Sequence, residues 1–158
     1  MIVHGRTRSQ AYGGRADYAA IGRVKAALSI PVVGNGDVFS GGDAVRLASE
    51  SGCDAVMVGR GGLGNPWLYR EAEACLAGAE PPRRPLFHER RLTLLRHMEL
   101  EREARGEARA LLYMRRIACW YFPGIPGAAA FRRAACGAKD LAEMERLIKG
   151  LSDPTSAS

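Results

Sequence analysis

The sequence predicts an α/β fold with three strand–helix units, followed by a segment made only of helices. In the first half of the chain, short runs of β-branched residues end in glycine-rich turns, and amphipathic segments of helical length separate them. From residue 88 onward β-branched residues become rare, and Glu, Arg, Ala and Leu dominate in helical patterns. Because strands that alternate with helices form parallel sheets, we expect a parallel α/β architecture in the first half.

Three short strands are predicted, at residues 2–4, 31–34 and 54–58. The first of them, Ile2-Val3-His4, is expected to be buried, and a long polar loop over residues 5–15 follows it. The other two strands each run into a turn that contains two glycines. The sheet is therefore expected to present its loops and turns at one edge.

Each predicted helix of the first half has a recognisable start. The first begins near Asp17 and carries apolar residues at three- and four-residue steps. The second starts at a capping box that opens with Ser40, and Gly52 stands where a left-handed C-terminal cap belongs. Asn65 as N-cap and Pro66 at the first helical position open the third helix.

The two glycine turns predict a phosphate-binding site. Gly34-Asn35-Gly36-Asp37 follows the second strand, and Gly59-Arg60-Gly61 follows the third. In parallel α/β barrels the loops after the last two strands often form such a site, because small turns let backbone N–H groups approach an anion. Arg60 adds a fixed positive charge. The alternative is that these glycines only shape tight strand-to-helix turns.

The second half is predicted to be helical throughout. A proline-rich stretch at residues 80–85 is expected to connect it to the α/β domain of residues 1–79. The small, polar end of the chain, residues 151–158, is expected to be disordered. Within the helical domain of residues 86–150, the four helices are expected at about 86–104, 107–121, 127–135 and 140–150.

The charge of the chain is concentrated in the helical half. The net charge is +6, yet residues 1–82 hold eight basic and eight acidic residues, whereas residues 83–150 hold fifteen basic and eight acidic ones. A basic helical segment beside a neutral α/β segment indicates a surface for a polyanion, with nucleic acid as the leading candidate. A solvated charged surface is the alternative.

Four arginines are the candidate RNA contacts of this half. Arg105, Arg109 and Arg116 are spaced by four and seven residues and are expected to share one face of the second helix, where they could follow a phosphate backbone. Arg132 follows the Gly/Pro turn. The opposite, core-facing stripe is predicted to comprise Leu111, Met114, Ala118 and Tyr121. For Trp120 the pattern leaves core and surface open and favours the core.

Composition argues against several other classes of protein. No segment is apolar enough to span a membrane, and the start of the chain lacks the pattern of a secretory signal, so a cytoplasmic location is expected. The cysteines lie far apart without partners at ligand spacing, which argues against zinc and against a disulfide framework. We expect reduced, buried or semi-buried thiols at Cys53, Cys75, Cys119 and Cys136.

The order of these motifs resembles that of the tRNA-dihydrouridine synthase family. The stretch His4 to Arg8, the two glycine turns and Gly64-Asn65-Pro66-Trp67 carry the resemblance in the first half. In the second half it rests on His97, Gly106-Glu107, Arg115-Arg116, Trp120-Tyr121, the run Gly124 to Gly127 and Arg132. The resemblance covers residues 2–150. Ile117 departs from it, because many members carry a histidine after the two basic residues.

The resemblance implies a fold, a cofactor and a reaction. Members have a TIM (β/α)8 barrel that holds FMN, followed by a helical domain that helps to bind tRNA, and NADPH supplies the electrons. Reduced flavin gives hydride to C6 of a flipped-out uracil and a cysteine protonates C5, which yields 5,6-dihydrouridine. The cofactor contacts it implies are His4, Asn35, Gly36, Asp37, Gly59 and Arg60, where Asp37 is as well suited to shaping a turn as to binding.

The same resemblance implies that the chain corresponds to the C-terminal part of the enzyme. A complete barrel has eight strand–helix units, whereas three are predicted here. The cysteine and the flavin-facing lysine of the family lie upstream of the matched region, so no catalytic residue is assigned. We expect this chain alone to be inactive, with apolar residues such as Val32, Val56 and Val58 exposed. The alternatives are a non-catalytic RNA-binding remnant, or another TIM-barrel oxidoreductase with FMN or a phosphate-bearing ligand.

Overall fold

The chain divides into two compact units, Met1–Arg83 and Arg84–Ser158. The structure, a computed structural model, describes residues 1–11 and 13–153. Residues 154–158 of the tail that we predicted to be disordered therefore lie outside the described residues.

The first unit alternates strands and helices as the sequence predicts. Its three strands form one parallel sheet in the order β1-β2-β3. Ile2 lies opposite Val33, and Val33 lies opposite Ala55. Parallel neighbours joined by helices are compatible with successive units of a β/α barrel. The elements are β1 (Ile2–His4), α1 (Tyr18–Ala27), β2 (Val33–Asn35), α2 (Gly41–Ser51), β3 (Ala55–Met57) and α3 (Trp67–Leu76), with short 3₁₀ helices at Arg8–Gln10 and Arg60–Gly62.

The helices cover one face of the sheet, and this corrects our expectation about which residues are exposed. Val32 is fully buried, and Val56 and Val58 pack against the same core. The exposed side chains belong to alternate positions of the strands: Ile2 is 64% and Met57 is 42% exposed. Successive residues of a strand point to opposite faces, so the valines face the helices. For the same reason β1 is not the buried strand that we predicted.

Two predicted helix ends of this unit are confirmed. The Ser40 hydroxyl accepts a hydrogen bond from the backbone N–H of Asp43 (3.1 Å), and Gly52 ends α2 with φ +63°. The Asp43 carboxylate accepts in return from the backbone N–H of Phe39 (3.1 Å). At α3, Pro66 has helical dihedral angles, and the regular helix begins one residue later, at Trp67. Local capping chemistry thus determines both ends of α2, whereas the N-cap of α3 is Pro66 and not the predicted Asn65, and it makes no side-chain cap.

The described residues of the second unit form four α-helices and one 3₁₀ helix. The predicted core stripe of the second helix is confirmed, because Leu111, Met114, Ala118 and Tyr121 are all buried. Ile117, the position at which the sequence departs from the resemblance, is also buried. The helices are α4 (Phe87–Arg105), α5 (Glu107–Ile117), α6 (Ala128–Gly137) and α7 (Leu141–Lys149), and the 3₁₀ helix spans Ala118–Tyr121.

Arginine side chains hold the ends of these helices together. The Arg115 guanidinium donates twice to the backbone carbonyl of Ala138, at 3.0 and 2.7 Å, and so links α5 to the segment before α7. Arg91 donates to the carbonyls of Lys149 and Leu151 at the end of α7. Such bonds satisfy carbonyl groups that a helix end leaves without an intrahelical donor.

The cap of α2 provides a test of the first unit. Ser40→Ala removes the acceptor for the Asp43 N–H, and we expect the free energy of unfolding to fall by about 1 kcal/mol. Urea unfolding should be followed by fluorescence in a Trp120→Phe background, so that Trp67 reports on the first unit alone. Ser49→Ala, an exposed change on the same helix, is the control and should alter stability by less than about 0.5 kcal/mol. Equal losses in the two variants would contradict the role of the cap.

Candidate functional site

A small cavity lies where the three strands of the sheet end. Its volume is about 130 Å³, and all six residues predicted as cofactor contacts line it. Because parallel strands bring their carboxyl ends to one edge, residues far apart in sequence meet here. The role of these residues as cofactor contacts stays a prediction. The six are His4, Asn35, Gly36, Asp37, Gly59 and Arg60, and Val38, Phe39 and Gly61 complete the lining.

The turn after β2 requires a glycine at position 36. Gly36 has φ +149°, and a Cβ atom placed there would lie 2.5 Å from the Cβ of Ala16. The Tyr18 hydroxyl donates to the Gly36 carbonyl at 3.0 Å and is buried. A side chain at residue 36 would therefore push the loop after β1 away from the turn.

The turn after β3 packs closely against the turn after β2. A Cβ atom at Gly61 would lie 2.1 Å from the carbonyl oxygen of Val38, so only glycine permits this approach. The Asn35 side-chain N–H donates to the Met57 carbonyl at 2.8 Å and joins the ends of β2 and β3. By contrast, a Cβ atom at Gly59 has no neighbour closer than 3.6 Å. A side chain would therefore clash with neighbouring atoms at positions 36 and 61, but not at position 59.

Asp37 is held by the loop that follows β1. Its carboxylate accepts hydrogen bonds from the Arg6 guanidinium (2.7 Å) and from the backbone N–H of Ala16 (2.8 Å). Arg60 lies farther away, 3.6 Å from the second carboxylate oxygen. The hydrogen bond from Arg6 is the main cause that lowers the pKa of Asp37 below its ordinary value. The structure thus gives Asp37 the turn-shaping role that its sequence position left open.

Arg6 is the site residue that the sequence reasoning missed. Its side chain is only 4% exposed, and besides Asp37 it donates to the backbone carbonyls of Gly13 and Gly14 at 3.1 and 2.7 Å. One signal was available, because Arg6 follows β1 by two residues just as Asp37 follows β2 by two. In a parallel sheet these two positions lie at the same edge.

The cavity offers hydrogen-bond donors and positive charge. Among the described residues, the backbone N–H groups of Gly59 and Gly61 have no backbone acceptor outside the regular helices and strands. The His4 Nδ1 accepts from the Arg6 backbone N–H at 3.1 Å, so in the neutral ring Nε2 carries the proton and is a further donor. Because the Arg6 charge is neutralised by Asp37, the Arg60 guanidinium, 41% exposed, supplies the net charge. This arrangement suits an anion.

The size of the cavity limits what it can hold. Sites that enclose a whole cofactor usually measure about 300–1,000 Å³. At about 130 Å³, this cavity matches one end of a cofactor, such as a phosphate group. The residues present therefore fit the phosphate end of a flavin mononucleotide.

The basic residues of the second unit do not form the single stripe that we predicted. Arg105 is the last residue of α4, while Arg109 and Arg116 lie on α5. Gly106, with φ +76° and ψ 161°, interrupts the helix between them. The Arg105 and Arg116 guanidinium groups instead lie over the same ring, that of Tyr113, at 5.1 and 5.8 Å from its centroid. All four predicted RNA contacts, including Arg132, are exposed.

Trp120 corrects a further expectation. We favoured the core for this residue, but its side chain is 49% exposed while the neighbouring Tyr121 is buried. Trp120 lines a cavity of about 580 Å³ together with Arg116 and Arg132. The 3₁₀ geometry of residues 118–121 turns Ala118 and Tyr121 inward and leaves Trp120 outside.

Tyr121 has a structural role. Its hydroxyl lies 3.0 Å from His97 Nδ1, and burial raises the pKa of Tyr121 to about 12. The hydroxyl is therefore protonated at neutral pH and shares a hydrogen bond with His97, and the tautomer of the histidine determines which of the two groups donates. Together with the buried position of its ring, this bond fixes the 3₁₀ helix against α4 and rules Tyr121 out as a base-stacking group.

The four cysteines carry free thiols in different settings. Cys53, Cys75 and Cys119 are partly buried, but Cys136 is exposed, contrary to our expectation. A Cβ atom at Gly34 would lie 2.8 Å from the Cys53 sulfur, and one at Gly41 would lie 2.5 Å from the Cys75 sulfur. These two thiols are thus packing groups. In the described part of the chain, no cluster of three metal-ligating side chains occurs and no helix is long and apolar enough to cross a membrane.

The contact between Arg6 and Asp37 makes stability depend on pH. Asp37→Asn leaves a buried guanidinium without its counter-charge, and we expect the first unit to lose about 2–3 kcal/mol at neutral pH. Because the pKa of Asp37 is lowered by folding, its contribution is present above the unfolded value of about 3.9 and disappears as the pH falls through the folded value. Urea unfolding of both proteins should therefore differ at neutral pH and converge once the pH has fallen below the folded pKa of Asp37.

Glu50→Gln is the matched control for this titration. Glu50 is an exposed carboxyl group on α2, and its replacement should leave stability unchanged across the pH range. A constant difference between wild type and Asp37→Asn at every pH would contradict the assigned ion pair.

Comparison with known proteins identifies the family. The family model described as dihydrouridine synthase (Dus) matches residues 1–153. A protein named probable tRNA-dihydrouridine synthase, from Mycobacterium tuberculosis, is 39% identical over 152 residues, which are 96% of this chain and 39% of that protein.

Two relatives named tRNA-dihydrouridine synthase B agree with this match. The one from Xanthomonas axonopodis pv. citri is 42% identical over 132 residues, 84% of this chain and 40% of the relative. The one from Xanthomonas campestris pv. campestris is 38% identical over 168 positions, 100% of this chain and 50% of the relative. The chain thus spans half or less of the length of these curated relatives. With its parallel sheet and a family match over residues 1–153, the chain belongs to the dihydrouridine synthase family.

Proposed function

We propose that the chain provides the phosphate end of the FMN site and part of the tRNA-binding surface of a tRNA-dihydrouridine synthase. The reaction is the reduction of uridine in tRNA to 5,6-dihydrouridine, with NADPH as the source of electrons and the cytoplasm as the location. One observation carries the proposal: the six residues that the family resemblance implies as cofactor contacts meet around one cavity with the donors and charge that a phosphate needs.

Each residue at the cavity would have a separate role in binding the cofactor. Arg60 provides a charge-assisted contact to the phosphate, and the N–H groups of Gly59 and Gly61 provide neutral donors. The His4 Nε2–H is a donor for a polar group farther along the cofactor. Asp37 does not contact the anion but keeps the turn after β2 in place through Arg6.

The hydride chemistry comes from the flavin, since FMN when bound in its reduced form supplies the hydride that reduces the uracil ring. The chain contributes binding and orientation to this step. We assign the acid that completes the reduction to none of the four cysteines. Cys53 and Cys75 pack against glycines of the first unit, and Cys119 and Cys136 lie in the second unit.

The second unit would contact the tRNA backbone. Its excess of basic residues lies at exposed positions, and no acidic side chain of the described residues lies within salt-bridge distance of Arg109, Arg116 or Arg132. Arg105 differs because it pairs with Glu101 at 2.5 Å. Uncompensated guanidinium groups release counterions from nucleic acid on binding, so salt should weaken the interaction.

The phosphate contact can be tested with two ligands. Arg60→Ala should weaken binding of FMN about 10- to 150-fold, because one charge-assisted hydrogen bond contributes about 1.5–3 kcal/mol. Riboflavin, which lacks the phosphate, should bind wild type and variant equally. Isothermal titration of residues 1–158 at low ionic strength measures both affinities.

Arg70→Ala controls for the loss of charge. Arg70 is an exposed arginine of α3 away from the cavity, and its removal should change neither affinity. An Arg60→Ala variant that binds FMN as tightly as wild type would remove Arg60 from the site.

The RNA surface can be tested by charge reversal. Arg109→Glu combined with Arg116→Glu should weaken binding of unmodified tRNA and flatten its dependence on salt, because two phosphate contacts are lost. Filter binding at several salt concentrations gives the affinity and the slope.

Arg23→Glu combined with Arg70→Glu changes the net charge by the same amount in the first unit. If this control weakened tRNA binding as much as the reversals on α5, net charge alone would explain the effect. Binding of tRNA without binding of FMN would instead favour the RNA-binding remnant.

A further inference from the structure

The cavity of the second unit that Trp120 lines has apolar walls, which contacts with phosphate alone do not explain. It measures about 580 Å³, within the range of about 300–1,000 Å³ that is typical of sites for small ligands. Its walls combine apolar groups, among them Leu112, Trp120 and Pro123, with the side chains of Arg116 and Arg132. The cavity therefore combines apolar walls with basic side chains.

Trp120 is not used by the protein core. Its indole is 49% exposed, although Ala118 and Tyr121 of the same 3₁₀ helix are buried. A tryptophan exposed at a concave surface leaves a large apolar area in contact with water. An aromatic ligand that covers this face would remove that cost.

The charge of the cavity selects the kind of ligand. No acidic residue lines it, and within the described part of the chain neither Arg116 nor Arg132 has an acidic partner. The Arg115 guanidinium is committed to the Ala138 carbonyl. Two guanidinium groups without counter-charge beside an indole favour a ligand with a flat ring and an anionic group, and they disfavour a cation.

The remaining wall is neutral. Cys119 and Cys136 both line the cavity, and their sulfur atoms lie 3.8 and 3.7 Å from the Arg115 carbonyl oxygen. Burial raises the pKa of the Cys119 thiol, so that thiol adds no negative charge. The apolar part of the cavity thus extends beyond the indole.

We propose that this cavity binds one unpaired nucleotide of the tRNA, with its base stacked on Trp120 and its phosphate held by Arg116 and Arg132. The proposal rests on the proposed function, because it takes tRNA as the substrate. A nucleotide has both a flat aromatic ring, which could stack on the indole, and an anionic phosphate, which the arginines could bind. Proteins that recognise single-stranded RNA commonly stack unpaired bases on aromatic side chains. A paired nucleotide within a helix cannot enter, because its base is stacked between neighbours.

The test compares residues 1–158 with the variants Trp120→Phe and Trp120→Ala. The probes are an unmodified tRNA transcript and an RNA duplex without unpaired nucleotides. Wild type and Trp120→Phe differ only at one indole, so the difference in fluorescence quenching reports on Trp120 and not on Trp67. We expect tRNA, but not the duplex, to quench Trp120.

Affinity gives the second measurement. Trp120→Ala should weaken tRNA binding about 5- to 150-fold, the effect of losing one stacked base, with Trp120→Phe in between. Affinity for the duplex should change less than about twofold. Circular dichroism of each variant checks that the helices are intact.

Each contrary outcome has a distinct meaning. Equal tRNA affinity of wild type and Trp120→Ala, with no quenching, would overturn the nucleotide site while tRNA binding itself stands. Equal quenching by tRNA and duplex would show contact with a groove and overturn base insertion. A wild-type dimer that Trp120→Ala converts to a monomer would assign the cavity to a second copy of the chain. Failure of tRNA to bind wild type at all would overturn the proposed function as well.

Discussion

The partly buried ion pair of Arg6 and Asp37 is the constraint on which the candidate cofactor site depends. The turn after β2 places Gly36 at φ +149° and Asp37 at φ +50°, a conformation that is costly for a non-glycine residue. The hydrogen bonds that the Asp37 carboxylate accepts from Arg6 and Ala16 offset this cost. The same guanidinium binds the carbonyls of Gly13 and Gly14, so one arginine orders the loop after β1 as well.

This ion pair also determines which charge remains for a ligand. With Arg6 and Asp37 neutralising each other inside the protein, the positive charge at the cavity mouth is that of Arg60, whose guanidinium lies 5.7 Å from the Phe39 ring centroid. Arg6 and Arg60 both lie near the Asp37 carboxylate, but they differ in how far their side chains are buried and therefore in role. Arg6 is 4% exposed and supports the fold, whereas Arg60 is 41% exposed and is accessible to an anion.

The sequence was sufficient to predict the order of elements and the residues that meet at the site. Both follow from alternation of strands and helices, because parallel strands bring their turns to one edge. The sequence could not show why each glycine is present. Gly36 and Gly61 are required by close contacts with Ala16 and Val38, which only the folded chain reveals, while Gly59 has room for a side chain. Nor could periodicity along one strand show which face the helices cover, so the exposure of Val32 was predicted wrongly.

The second unit shows how the partners of an arginine decide what it can bind. Helical spacing joined Arg105, Arg109 and Arg116 into one stripe, but Gly106 breaks the helix and moves Arg105 to another element. There Arg105 pairs with the Glu101 carboxylate, so most of its charge is compensated. Both guanidinium groups lie over the Tyr113 ring, but Arg116 has no acidic partner among the described residues, so the ring holds its guanidinium without neutralising it. An aromatic partner therefore orients a cation and leaves its charge available to a phosphate, whereas an acidic partner does not. By this criterion the positive potential of the unit comes from Arg109, Arg116 and Arg132, and the last two line the same cavity as the exposed Trp120.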